Sequence, residues 1–331
     1  MHSSLPRHPT RGLALLAPAL VAIALACSSP PDAHAGEYTL VQCDPSSRDD
    51  GAARFDRTDG AYYGFGRHCS DPARSSALKV RNLAAAPTGA EGRISWIAPG
   101  GTSVVGVSAE ARLRRDGDHR ARLSFLDSAG RPAGRIATGR DAPGGFERHS
   151  ARLHGTGRAG FAAQLVCISG VRCAESDQAR TWVRSVRLTL RDAVAPTVSA
   201  SGTLLGDGWQ RGERSLGVHA GDVGGGLRNV DVAVGGVRVA PSRVLACALA
   251  GAGLARVPRP CPAGHSGSAS FLTDRPPFVN GSNRVTVCAR DYGAGPNQRC
   301  LARDVRVDNE PPRAHFLTRD PADPELISAE V

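Results

Sequence analysis

The sequence predicts an all-β chain: a jelly-roll-like antiparallel sandwich followed by an Ig-like β-sandwich. Three observations predict it. Short runs of alternating apolar and polar residues recur along the 331 residues, while helical periodicity is scarce after the first 35. Gly, Pro, Asp and Ser cluster between the runs, as turns between strands require. Of nine cysteines, eight follow the N-terminal apolar segment, an even set that reads as disulfides in an oxidising compartment.

Residues 1–35 read as a secretory signal. Arg7 and Arg11 form a basic start, "GLALLAPALVAIALA" is an apolar run short for a bilayer, and "AHA" is a small-x-small cleavage site before Gly36. "IALAC" competes with this reading, because Cys27 stands where a lipoprotein would be cut and acylated; Ala24 occupies the position where such sites prefer leucine. The expectation is a secreted, extracellular protein, with a lipid anchor through Cys27 as the alternative.

The first sandwich is placed at 36–191. Its strands are read from "EYTLVQC", "GRISWIA", "TSVVGVSAEARL", "ARLSFLD", "GFAAQLVCI" and "TWVRSVRLTL", in which core positions alternate with Ser, Arg and Thr. Trp96 shares its parity with Ile94 and is expected in the core. The second sandwich is placed at 192–309, on "PTVSASG", "RSLGVHAGD", "RNVDVAVGGVRV", "GSASFLT" and "NRVTVCARD", with "VGGVR" as a hairpin turn. The tail, 310–331, repeats in "EPPRAHF" the pattern of "VAPTVSA" and reads as the incomplete start of a further Ig-like module, expected to be disordered. For the cysteines, neighbour pairing is the simplest of many connectivities: Cys43 with Cys69, Cys167 with Cys173, Cys247 with Cys261, Cys288 with Cys300.

A formal charge of +10 invites a nucleic-acid reading. The basic residues are nearly all arginine, Lys79 being the sole lysine, and they lie scattered among acids with no dense block. Nucleic acid is therefore excluded as the expected partner. No segment after the signal is apolar and long enough for a membrane span, and no cofactor fingerprint, HExxH or phosphate loop occurs.

Candidate chemistry is sparse. "GHSGS" lacks the last glycine of a nucleophile elbow and reads as a Ser/Gly loop. No catalytic set and no metal site are assigned. "RDDGAARFDRTDG" gathers Asp49, Asp50, Asp56 and Asp59, oxygen ligands that calcium would take, though solvated loop carboxylates explain them as well. Sugar recognition needs aromatic faces and fixed polar groups, and here the candidates are Tyr62, Tyr63, Arg112, Arg114, Asp116 and His119. Tyr62 and Tyr63 are adjacent, so in extended chain one of them faces outward. Asp291 and Tyr292 read as corner packing in a loop closed by Cys288 and Cys300.

The segments "DAVAPTVSASGTLLGDGWQRGERSLGVHAGDVGGGLRNVDVAVGG", "NRVTVCARDYGAGPNQRC" and "VRVDNEPPRAHF" resemble the Ig-like repeats of secreted actinobacterial multidomain proteins. "RISWIAPGGTSVVGVSAEARLRR" with "RTWVRSVRLTLRD" is similar to the jelly-roll, lectin-like domain that precedes such repeats. The resemblance implies fold rather than activity. The functional expectation is a secreted non-enzymatic binding or display protein that recognises a cell-surface or extracellular glycan. Its alternatives are a structural or adhesive cell-envelope spacer and a secreted carbohydrate-active enzyme.

Overall fold

In a computed structural model, residues 36–44, 51–58, 61–72, 75–141, 144–251, 253–312, 315–316 and 329–330 are described. Residues 1–35, Cys27 among them, and most of the tail lie outside them. The chain is all-β: among the described residues there is no α-helix, and a short 3-10 turn lies at Thr203–Leu205. No helix among them is long and apolar enough to cross a membrane.

The first sandwich packs two sheets. One has eight strands, ordered Glu147–Arg152, Thr102–Arg114, Arg180–Asp192, Gly36–Gln42, Leu254–Ala255 and Leu249–Ala250, with Leu78–Asn82 and Tyr63–Arg67 branching off it. The other has five, ordered Arg54–Arg57, Glu91–Ile97, Gly160–Cys167, His119–Leu126 and Pro132–Thr138. Between them lie Leu40, Leu78, Val80, Ile94, Leu123, Leu165 and Leu188, all at most 1 % exposed. Trp96 is in this core, stacked on Phe161 with ring centroids 5.5 Å apart, the offset arrangement aromatic pairs favour.

Strand Arg180–Asp192 organises this half. On one side it pairs with Leu78–Asn82 through Arg180–Val183, then with Gly36–Gln42 through Val186–Asp192. Between the two partners its register against Thr102–Arg114 shifts, and Ser185 takes φ 50°. That bulge lets one strand serve two neighbours in succession.

The second sandwich packs the sheet Thr197–Ser201, Glu213–Gly221, Gly264–Leu272 on the sheet Trp209–Gln210, Gln298–Val307, Gly281–Asp291, Leu227–Val234, Val237–Val244. Leu204, Leu216, Val218, Val230, Val232, Val234, Val285, Val287 and Val307 fill it. Gly235 and Gly236, at φ 56° and 86°, make the two-residue turn between Leu227–Val234 and Val237–Val244. "GHSGS" is a correction to the expected loop: it opens the strand Gly264–Leu272, paired along its length with Glu213–Gly221. Its alternating small and polar residues meet the pleat's period of two, which outweighs the turn propensity of Gly and Ser.

Four disulfides are present, Cys43–Cys69, Cys167–Cys173, Cys247–Cys261 and Cys288–Cys300, so the cysteines pair as sequence neighbours. Of the tail, His315–Phe316 pairs antiparallel with Ala329–Glu330.

Candidate functional site

The two sandwiches meet at a junction built from strand ends. The loop after Val237–Val244 leaves the second sandwich and lays Leu249–Ala250 and Leu254–Ala255 on the edge of the first, beside Gly36–Gln42. Cys247–Cys261 closes that loop. Tyr38 donates its hydroxyl to the Pro258 carbonyl at 2.6 Å, and the Gln42 amide nitrogen donates to the Arg256 carbonyl at 2.6 Å. Glu37 and Ala294 exchange backbone hydrogen bonds at 3.2 and 2.8 Å. The rings of Tyr38 and Tyr292 meet edge to face, centroids 5.5 Å apart, and Ala255, Cys261 and Tyr292 belong to the same apolar cluster as the first sandwich's core.

Three aspartates converge here. Asp192 and Asp291 each end a strand, and Asp222 directly follows one. All three are buried. Asp192 accepts from the amides of Val194 at 3.1 Å and Gly225 at 2.6 Å. Asp222 Oδ2 accepts from the amides of Gly224 at 2.9 Å and Gly226 at 2.8 Å. Asp291 Oδ2 accepts from Asn297 Nδ2 at 2.6 Å, and that nitrogen also reaches the Asp192 carbonyl at 3.0 Å. One carboxylate oxygen from each aspartate lies within 4.8 Å of the other two.

The electrostatics follow from the crowding. Burial, reinforced by Asp192 and Asp222 against the opposing Asn297 bond, pushes Asp291 up to about 7. Burial also raises Asp192; the Gly225 and Val194 amides pull it partway back while Asp222 adds to the rise. Arg259, which donates to the carbonyls of Gly224 and Val223, is a compensating cation for Asp192.

The residues singled out from the sequence do not share one exposed face. Tyr63 is fully buried, its hydroxyl bonded to the Ala90 carbonyl at 3.0 Å. His119 is buried and meets the Tyr63 ring edge to face at 6.3 Å. Asp116 accepts from the Ser176 hydroxyl and, through its carbonyl, from the His119 amide. Tyr62 is half-buried against the core. Arg112 stacks its guanidinium on Trp182, 5.0 Å from the ring centroid. Arg112 and Arg114 border a groove of about 360 Å³ between the strands Thr102–Arg114, Pro132–Thr138 and Glu147–Arg152, with Arg140, Glu147 and His149 also on its wall. Of the four loop aspartates offered to calcium, Asp56 accepts from Ser95 at 3.1 Å and lies 3.9 Å from Arg93; Asp49, Asp50 and Asp59 lie outside the described residues.

Asp192 and Asp222 escaped sequence reasoning, and Asp291 was read only as corner packing, because nothing in the sequence shows that three strand ends meet. A signal existed: "LRDAVAP", "GDVGGG" and "ARDYGAGPN" each place an Asp where an alternating run stops and a turn begins.

No known family matches the chain, and no curated protein does. Among solved structures it is similar to the glycoside hydrolase domain of Endo-D from Streptococcus pneumoniae R6, at 8 % identity and a TM-score of 0.25. The match covers 77 % of this chain and 37 % of that one, and no residue role or activity is transferred across it. The expected glycan-binding, non-enzymatic reading is corrected on the structure itself: Tyr63 and His119, meant for a glycan face, are part of the core.

Proposed function

We propose that the chain is a rigid structural spacer of the cell envelope, exported through its N-terminal segment, in which two sandwiches are locked into one body. The observation that carries this reading is the shared apolar cluster, in which Tyr292, Ala255 and Cys261 pack with the core of the first sandwich. Sandwiches joined by linkers alone reorient freely. Here two tyrosines, a disulfide-closed loop and paired backbone lie between them. Four disulfides suit an oxidising compartment. The test is alignment by residual dipolar couplings on the oxidised chain. A spacer gives one alignment tensor for both sandwiches; two different tensors would show hinged motion and end the reading.

The polar groove gives a carbohydrate-active enzyme one observation in its favour. Glu147 and His149 stand two residues apart on one strand, and so on one face, beside Arg112 and Arg114. Glu147 is the one carboxylate on its wall among the described residues, whereas glycoside cleavage uses a pair. Release of reducing ends from a polysaccharide panel, lost in Glu147→Gln, would replace the spacer by this enzyme.

A further inference from the structure

We propose that Asp192, Asp222 and Asp291, with the amide oxygen of Asn297, bind a calcium ion that clamps the junction between the sandwiches. The inference deepens the spacer reading and rests on it for its purpose, though not for its chemistry.

Three carboxylates alone would not make a site. The independent observation is Asn297, which is 1 % exposed and whose Oδ1 has no hydrogen-bond partner. Its orientation is fixed by what its nitrogen does. Nδ2 donates both to the Asp192 carbonyl and to the Asp291 carboxylate. Flipping the amide would press an acceptor against two acceptors, so Oδ1 stays where no donor meets it. Asp222 Oδ1 and Asp291 Oδ1 are likewise buried without a partner. Buried acceptors lacking donors are rare in folded proteins, and three of them on residues of one cluster call for a positive group.

The protein supplies part of that charge through Arg259. Arg259 gives one formal positive charge against three carboxylates. A divalent ion would bring the cluster to neutrality. The donors are oxygen only, which selects calcium or magnesium over zinc or copper. Rigidity then separates the two. Magnesium demands near-ideal octahedral geometry and gives up its waters reluctantly, whereas calcium accepts irregular sets of protein oxygens such as these buried ones. The backbone is already committed to the arrangement: the amides of Gly224, Gly225 and Gly226 hold Oδ2 of Asp192 and of Asp222. A side chain at Gly224 would overlap the Asp192 carboxylate.

Two other accommodations compete with a cation: a shared proton, or a trapped water donating to two of the orphaned oxygens. The experiment separates them. The full chain, with disulfides intact and stripped by chelator, is melted in the presence of calcium chloride, magnesium chloride or neither. Calcium at about a hundred times its dissociation constant raises the midpoint by about 5 °C, and magnesium by much less. Asp291→Asn and the double variant Asp222→Asn/Asp291→Asn abolish the calcium shift. Should those variants not fold, terbium bound to the wild-type chain gives emission sensitised by Tyr38 and Tyr292, and calcium displaces it. No calcium shift and no displaceable terbium emission overturn the site in favour of a proton or water, as does an undiminished shift in the double variant. One alignment tensor without any calcium response removes the ion and leaves the spacer. Two tensors beside a full calcium response remove the spacer and leave the ion.

Discussion

At the scale of single residues, burial decides what each side chain does. Tyr63 shows it best, because its sequence context, a Tyr-Tyr pair between glycines, suits a binding face as well as a core. The parity rule allowed one of the pair to face inward, and the structure selects Tyr63. Its hydroxyl takes the Ala90 carbonyl, and burial pushes its ionisation up to about 12. Burial also raises Tyr38 and Tyr292. A tyrosine whose folded value lies above its unfolded 10.0 contributes stability that is fully present below pH 10 and is lost as pH rises through the folded value. For Tyr63 the window runs from about 10 to about 12. Alkaline titration followed by phenolate absorbance is therefore expected to show these three ionising together with loss of far-ultraviolet dichroism. Their ionisation near pH 10 with the fold intact would contradict the packing described. Glycine at 226 follows from the same crowding: at φ 86° its β-carbon would strike the Cys261 carbonyl.

At the scale of elements, apolar alternation made the central strands legible. "GRISWIA" and "TSVVGVSAEARL" lie where the sequence puts them, because a half-buried strand needs apolar side chains on one face, and "GFAAQLVCI" lies there as a strand buried along its whole length. The edge strands Pro132–Thr138 and Glu147–Arg152 were not legible. Their residues are mostly exposed, with arginines and a proline where an edge benefits from discouraging further pairing. The loop after Val244 was also illegible as a docking element: Leu249–Ala250 and Leu254–Ala255 are two-residue strands that pair with each other, and the second reaches Gly36–Gln42 across a long stretch of sequence, as the bond of Gln42 to Arg256 illustrates with a separation of 214. The Cys247–Cys261 bridge, spanning 14 residues, holds that loop in place. Replacing both cysteines by serine is expected to cost about 3 kcal/mol in equilibrium unfolding. Hydrogen exchange is expected to rise first in Gly36–Gln42, the strand the loop covers, and exchange confined to the loop itself would show that the bridge plays no part in the junction.

At the scale of the molecule, the question is whether two sandwiches fold as two units or as one. Each has its own apolar cluster, and the second, with Leu204, Val232 and Val287 among its members, contains no residue of the first sandwich. That alone permits independent folding. Against it stand Tyr38, which reaches from the first sandwich to Pro258, and Tyr292, which reaches back to Gly253 and packs with the first core. Coupling of this kind merges two transitions when breaking it costs more than either half gains by melting separately. The oxidised chain is therefore expected to give one calorimetric transition, with equal calorimetric and van't Hoff enthalpies. Tyr38→Ala/Tyr292→Ala removes both rings, each at a cost of about 3 kcal/mol of packing, trims the first cluster at its junction end and leaves the second cluster intact. The double variant is expected to melt in two steps, the second sandwich keeping its own midpoint. A single lowered transition in that variant would mean that backbone pairing and the aspartate cluster suffice to join the halves. Two transitions already in the wild-type chain would mean that the sandwiches are neighbours without being coupled.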